Sequence, residues 1–509
     1  MGSDSRIDRI LVIGAGMAGL LAALLLSGEG REVIVLERDP PPPGPGAAAE
    51  GGEADADHAF GHWRRPGVGQ LRHSHAFLAR LVNILRDRHP ALIDQLKAAG
   101  CREMALADLL PSTLKDRYAP EPGDAAMSLL MSRRTTFEFV VRQYVEGLGG
   151  VRIRSGEFID GLVFAEGAGT PTVAGVRTQA GETIAAEVVI DAGGRCAQAV
   201  DWLGAAGVAT EQSGAPAGIL YYTRHWRLRP GQDRPARSRS PSAADLGYLQ
   251  FGLFEADNGW FSVTLAAPEV ETELRGALIR PEGFDRACRA LPGVAAWIEP
   301  QRSAPETKVF AMGELKSLWR RLVKDGRPTV LGLFLIGDSL IQSNPLYGRG
   351  TAFAAVEAEA LARALSAGRD AAGRAILYDS LVDQALRPYY DDMQEQDRAA
   401  IRRARAARAG ETASVGEQLL QSFMRDGAGL AVRDDLSAFR AALRAFHMLD
   451  PPRAWLFEPR HVELALRTWA RGKRRNAHLY PDRAGPGRME MLSHLDLTCP
   501  PGASDSMAA

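Results

Sequence analysis

The chain has 509 residues, 46% hydrophobic and 24% charged, enough apolar material for a large core spread over two or three domains. Its 61 Lys and Arg stand against 62 Asp and Glu, so no global field gathers nucleic acid or an anionic membrane, and the expected partner is a small molecule. Four scattered cysteines, Cys101, Cys196, Cys288 and Cys499, form no CxxC pair, and no histidines cluster at metal-ligand spacing, which argues against a disulfide framework or a metal site.

In chain order, Arg9 to Ile13 reads as a short apolar strand, Met17 to Ser27 as an apolar helix and Val33 to Glu37 as a second strand. The continuous apolar run of VIVLE suits a buried parallel sheet. The segment PPPPGPGAAAEGGEADAD (40–57) lacks apolar periodicity and is expected to be a mobile surface insertion. Helical patterns follow at Ser74 to Arg88, Leu92 to Ala99 and Thr135 to Gly147, then strands near Val151, Thr172 and Ala186. Between Gly218 and Val309 the runs YYTRHWRL, GYLQFGLFEA and GWFSVTLAAP alternate as half-buried strands do, suggesting a sheet with one face on a cavity. Val330 to Ile336 is a further apolar strand, Thr351 to Leu365 an Ala-rich helix, and Arg369 to Leu495 mainly helical; the tail beyond reads as disordered. With no run of ~20 apolar residues, a cytoplasmic protein without a membrane span is expected.

Two glycine-bearing turns carry the chemistry. IGAGMAGL places Gly14, Gly16 and Gly19 between a strand and a helix, where backbone N–H groups can meet a pyrophosphate. The second strand ends in Glu37, a carboxylate placed to accept adenosine ribose hydroxyls, with Arg38 beside it as a further binding candidate. Far along the chain, Gly337 and Asp338 end a strand, a loop carries Asn344-Pro345, Gly348 and Gly350, and a helix opens at Thr351. That arrangement sets Asp338 beside a ribityl-like chain and a helix N-terminus at an electron-rich ring edge, which suits a flavin.

These residues resemble the FAD-dependent monooxygenases related to para-hydroxybenzoate hydroxylase and squalene epoxidase. GDSLIQSNPLYGRG is similar to their GD…NPxxGxG segment, and Arg134-Thr-Thr-Phe-Glu to their arginine-led helix. RPGVGQLRHSHAFL, DAGGRCAQAVDWL and LDPPRAWLFEPRHVELAL resemble, more closely, bacterial epoxidases and hydroxylases of natural-product pathways. Ser339, Ala197 and Gly69 depart from the alanine, serine and proline usual there. The resemblance implies an α/β fold: a Rossmann-type, glutathione-reductase-like FAD-binding domain with an inserted antiparallel β-sheet substrate domain and a helical C-terminal region. The implied division is 1–210 with 310–390 for FAD, 211–309 for substrate, 391–495 helical and 496–509 a disordered tail. It further implies Arg134 near the FAD phosphates and His73, His75 and Pro345 near the flavin.

The implied activity is insertion of one oxygen from O2 into an apolar, electron-rich alkene or aromatic ring, by epoxidation or hydroxylation. Electrons come from NAD(P)H directly or through a separate flavin reductase. Tyr222, Phe251 and Phe261 are the candidate substrate contacts within the aromatic-rich strand block. Rival readings are a flavin-dependent halogenase, whose W-x-W-x-I-P signature is missing, an isoprenoid-type FAD reductase or dehydrogenase, and a non-catalytic FAD-binding partner.

Overall fold

The computed structural model describes residues 7–44 and 52–497. In chain order the elements used below are β1 (Arg9–Ile13), α1 (Met17–Leu26), β2 (Glu32–Glu37), α2 (Gly52–His62), α3 (Arg134–Glu146), β3 (Val151–Ser155) and β4 (Val188–Asp191). These are followed by β5 (Ile219–Leu228), β6 (Gln250–Glu255), β7 (Trp260–Pro268), β8 (Leu333–Leu335), α4 (Gly350–Leu365), α5 (Ala371–Ala409), α6 (Val415–Ser422) and α7 (Leu436–Phe446).

Five strands form a parallel sheet in the order β8-β4-β1-β2-β3, with Ile10 paired to both Val33 and Val188. The four strands β8, β4, β1 and β2 are mostly buried, as continuous apolar runs require when helices cover both faces, while the edge strand β3 buries only Val151. Helix α1 is apolar all round and packs against α4. Gly19 lets the start of α1 sit directly on the turn after β1, since a Cβ there would lie 1.8 Å from the Gly14 carbonyl oxygen. A second, antiparallel sheet runs Ala243–Asp245, β6, β7, β5, Ser303–Pro305, with Phe310–Met312 also on β5. Beyond residue 371 the described elements are helices, including the 39-residue α5.

The alternation along β7 sorts its two faces. Phe261, Val263, Leu265 and Ala267 join an apolar core, while Thr264 and Ala266 line a cavity. Cross-strand pairing puts Tyr222 opposite Leu265 and Tyr221 opposite Ala266. Tyr222 and Phe261 are therefore core residues and do not line the cavity, whereas Tyr221 does. A choice of residue one position out exchanges core face for cavity face.

Two further expectations are corrected. Part of the segment 40–57 folds: α2 starts at Gly52 and buries Ala56, Ala59 and Phe60. Its Asp57 pairs with Arg133 and with Arg227 at 2.9 Å and accepts from Trp260 Nε1 at 3.1 Å, tertiary contacts that compensate for weak local propensity. Residues 45–51 of that segment, and 498–509 of the tail, lie outside the described residues. The helix expected from Ser74 instead begins at Ala79. Ser74 to Leu78 is non-helical because Phe77 pairs through its backbone with Leu130 and the side chains of Ser74 and His75 bond distant partners.

Candidate functional site

A cavity of about 890 Å³ opens at the carboxyl ends of the parallel strands, where open α/β sheets bind ligands. Segments just past β1 (Gly14, Gly16), β2 (Arg38, Asp39), β4 (Ala192 to Gln198) and β8 (Gly337, Asp338) all line it. The chain thus brings both glycine turns onto one space. Gly14, Gly16, Glu37, Arg38, Arg134, Gly337, Asp338, Gly348, Gly350 and Thr351 all face it, as do His73, His75, Pro345 and Phe251. Gly19 does not; it seats the start of α1 against the glycine turn and Val12 of β1.

The fit to a dinucleotide rests on two helix starts. Neither α1 nor α4 has a side chain bonded at its N-cap, so the first backbone N–H groups of both are left for a ligand. A Cβ on Gly16 or Gly348 would meet no atom within 4 Å, so the space before them is free. Gly14, at φ +100°, is different: a Cβ there would lie 2.8 Å from the Ala192 oxygen, which seats the first glycine turn against the segment after β4. One uncapped helix start suits the pyrophosphate; the other suits the electron-rich edge of the isoalloxazine.

Buried charge surrounds the first turn. Arg65, its side chain 1% exposed, pairs with Glu37 and Glu138 and donates to the Ala15 oxygen at 3.0 Å. Glu37 also accepts from the backbone N–H groups of Ala15 at 2.7 Å and Asp39 at 2.8 Å. The carboxylate expected to meet ribose is therefore first a clamp on the glycine turn. Burial lowers the Arg65 pKa, opposed by Glu37 and Asp39. Arg65 heads the RPGVGQ segment, and Glu138 lies one helical turn after Arg134; an arginine and a glutamate at those places were the available signals, visible only once β2 and α3 are known to converge.

Arg134 donates to Glu138 at 3.1 Å and to His75 Nε2 at 3.3 Å. His75 Nδ1 lies 3.0 Å from the His73 carbonyl oxygen, which fixes the Nδ1–H tautomer and leaves Nε2 to accept. Burial, then the Arg134 charge, holds His75 down to about 3 and His73 to about 4, so both are neutral near pH 7. His73 Nδ1 meets Thr223 Oγ1 at 2.9 Å; Thr223, Thr264 and Ser74 continue a hydroxyl chain in 2.8 Å steps. His73 ties the loop to the antiparallel sheet and His75 ties it to α3, and the two present no metal-ligand pair.

Around the second turn, burial raises the Asp338 carboxyl, while Arg195, Arg134 and Arg320 oppose it. Ser339 accepts from Gly194 N at 3.0 Å and donates to Asp191 at 3.2 Å, joining the turns after β4 and β8. Asp397 of α5 accepts from Asn344 Nδ2 and Tyr347 OH, both at 2.8 Å, and from Ser317 Oγ at 3.0 Å. Tyr221 OH donates to Asn344 Oδ1 at 3.1 Å. No sequence motif pointed to Asp397, which lies 53 residues beyond the asparagine it holds. Among the described residues no group of three or more His, Cys, Asp and Glu could hold a metal ion.

Residues 9–54 match the profile of the family described as FAD dependent oxidoreductase. No curated protein matches the chain. Among solved structures, the chain shares its fold with PqsL of Pseudomonas aeruginosa in complex with 2-aminobenzoylacetate (18% identity, TM-score 0.52, 80% of this chain and 100% of that one). It also shares it with the myxobacterial chondrochloren halogenase CndH (17%, 0.57, 87% and 96%). A third is the Diels-Alderase PyrE3 of the pyrroindomycin pathway (18%, 0.52, 87% and 81%). Cradle, fold and family match together define an FAD-dependent oxidoreductase, with FAD as its cofactor. No described helix is long and apolar enough to cross a membrane.

Proposed function

We propose that this flavoprotein is a monooxygenase that inserts one oxygen atom from O2 into an apolar, electron-rich alkene or aromatic ring. One atom enters the substrate, the other leaves as water, and NAD(P)H supplies two electrons directly or through a separate flavin reductase. Bound FAD would supply the redox and oxygen chemistry. The observation carrying the reading is that the cavity with the dinucleotide cradle continues, unbroken, onto an apolar wall of Tyr221, Phe251, Phe254, Met312 and Leu315. Such a wall binds an apolar molecule beside the flavin and keeps out water.

The chain's own residues would bind and orient. Residues 1–210 and 310–390 would hold FAD and 211–309 the substrate, with Arg134 placed for phosphate and Asp338 for the ribityl chain. Gly348 and the start of α4 would lie along the flavin ring. PqsL is described as a probable FAD-dependent monooxygenase, CndH as a halogenase and PyrE3 as a Diels-Alderase, so the fold alone does not choose the chemistry. Incubating FAD-loaded protein with NAD(P)H, or a flavin reductase, and a panel of polyenes and polycyclic aromatics separates them. Oxygen uptake with a product heavier by one oxygen supports the reading. A product carrying halogen, or two added hydrogens, or rearranged at unchanged mass, overturns it.

A further inference from the structure

Helix α6 shows the solvent an apolar face that the fold does not use. Val415, Leu419 and Leu420 are 82%, 56% and 62% exposed, and Met424 just beyond is 39% exposed. Val415, Leu419, Leu420 and Phe423 recur at i, i+4, i+5 and i+8, one stripe of a helix whose other side carries Glu417, Gln418, Gln421 and Ser422. The helix stands by its cap: Glu417 N donates to Ser414 Oγ at 3.3 Å and the Glu417 carboxylate accepts from Ser414 N at 2.9 Å. Phe423 anchors its end edge-on against Trp469. Short helices normally depend on burying such a stripe, so its exposure calls for an occupant.

Charge identifies the occupant. Arg398, Arg402 and Arg405, at i, i+4 and i+7, share one face of the last turns of α5, and all three are exposed. Arg398 and Arg405 have no ion-pair partner among the described residues, unlike Arg403 and Arg408, which pair with Asp245 and Glu273. Of the three, Arg402 reaches α6: Ser414, and then Arg402, hold the Glu417 carboxyl below its usual value. Residues 398–475 carry sixteen Arg and Lys against eight Asp and Glu, in a chain whose net charge is −1.

We propose that α6 and the Arg398–Arg405 stripe form a peripheral docking surface for an anionic lipid bilayer. The apolar face enters the headgroup boundary and the guanidinium groups meet lipid phosphates. A second copy of this chain fits less well, because packing the same faces together crowds like charges. One aromatic of the cavity lining, Phe446, closes α7 in the same basic stretch and is half exposed.

Sedimentation of the FAD-loaded full chain with phosphatidylglycerol and with phosphatidylcholine vesicles tests this. Binding to the anionic vesicles, weak binding to the zwitterionic ones, and loss in about 0.5 M salt are expected. Leu419→Ser with Leu420→Ser, and separately Arg398→Gln with Arg402→Gln and Arg405→Gln, should each weaken binding about tenfold or more with FAD content unchanged. The surface arginine variant keeps the test open if the leucine variant misfolds. Absence of wild-type binding to anionic vesicles overturns the proposal, as does binding that neither variant alters. So does a wild-type dimer, by light scattering, that the leucine variant splits while vesicles stay unbound.

Discussion

Arg65 shows why the head of the cavity is sensitive to single residues. Its guanidinium is almost wholly buried and is shared between Glu37 of β2 and Glu138 of α3. Taking away one member of a buried ionic cluster leaves the others desolvated and uncompensated, at a cost of about 3–5 kcal/mol. Arg65→Met should lower unfolding stability by that order and weaken FAD binding, because Glu37 also clamps Ala15 of the glycine turn. Urea denaturation and FAD titration measure the two effects; unchanged stability would refute the account of the cluster. His73 makes a different demand. Its folded pKa, about 4, lies below the unfolded value of about 6.5. The unfolded chain therefore binds more protons between these values, and stability is lost as pH falls from about 6.5 towards 4, at ~1.4 kcal/mol per pH unit for one such site. Asn at position 73 cannot titrate. His73→Asn should show a decline shallower than wild type by about 2 kcal/mol between pH 6.5 and 4.5, the remaining slope reflecting His75, His225 and His447, all likewise lowered by burial. Parallel curves would exclude His73 as a source of the slope.

Elements distant in sequence place the flavin-facing loop. Asp397 of α5 receives Asn344 and Tyr347 of that loop and Ser317 of a neighbouring strand. Asp397→Ala would strand several buried donors, with an expected cost of about 1–3 kcal/mol and a weaker FAD affinity read by quenching of flavin fluorescence. Asp397→Asn, whose carbonyl oxygen can still accept from Asn344 and Tyr347, should fall between. Wild-type affinity in the alanine variant would mean the loop holds itself. The same dependence on distant partners limits what was legible beforehand. The β1-α1-β2 unit and the turn before α4 could be read because glycine spacing and an apolar run are local properties. Helix α2 could not be read, since its stability comes from Asp57 meeting Arg133, Arg227 and Trp260. The non-helical stretch from Ser74 to Leu78 was equally hidden, being set by Arg134, Thr264 and the backbone of Leu130. Alternation puts Tyr221 and Tyr222 on opposite faces of their strand and does not say which face meets the cavity.

At the scale of the whole molecule, the cavity collects residues from Ile13 to Phe446, so a ligand there binds only the folded chain. Binding confined to the native state stabilises by RT ln(1 + [L]/Kd), about 2.7 kcal/mol at a hundredfold excess over Kd. The thermal midpoint should therefore climb with the logarithm of free FAD. Gly16 offers a way to separate this effect from intrinsic stability. Its backbone is extended, at φ −76° and ψ −174°, and a Cβ there would meet no protein atom within 4 Å. Gly16→Val should leave the unliganded fold within about 1 kcal/mol of wild type, as substitutions without a clash do, while its branched side chain fills the space before the first N–H groups of α1. The FAD-dependent rise in midpoint should then vanish, together with bound-flavin absorbance. A Gly16→Val protein that still took up FAD with wild-type affinity would place the pyrophosphate elsewhere, and the pairing of the two helix starts on one coenzyme would fail with it.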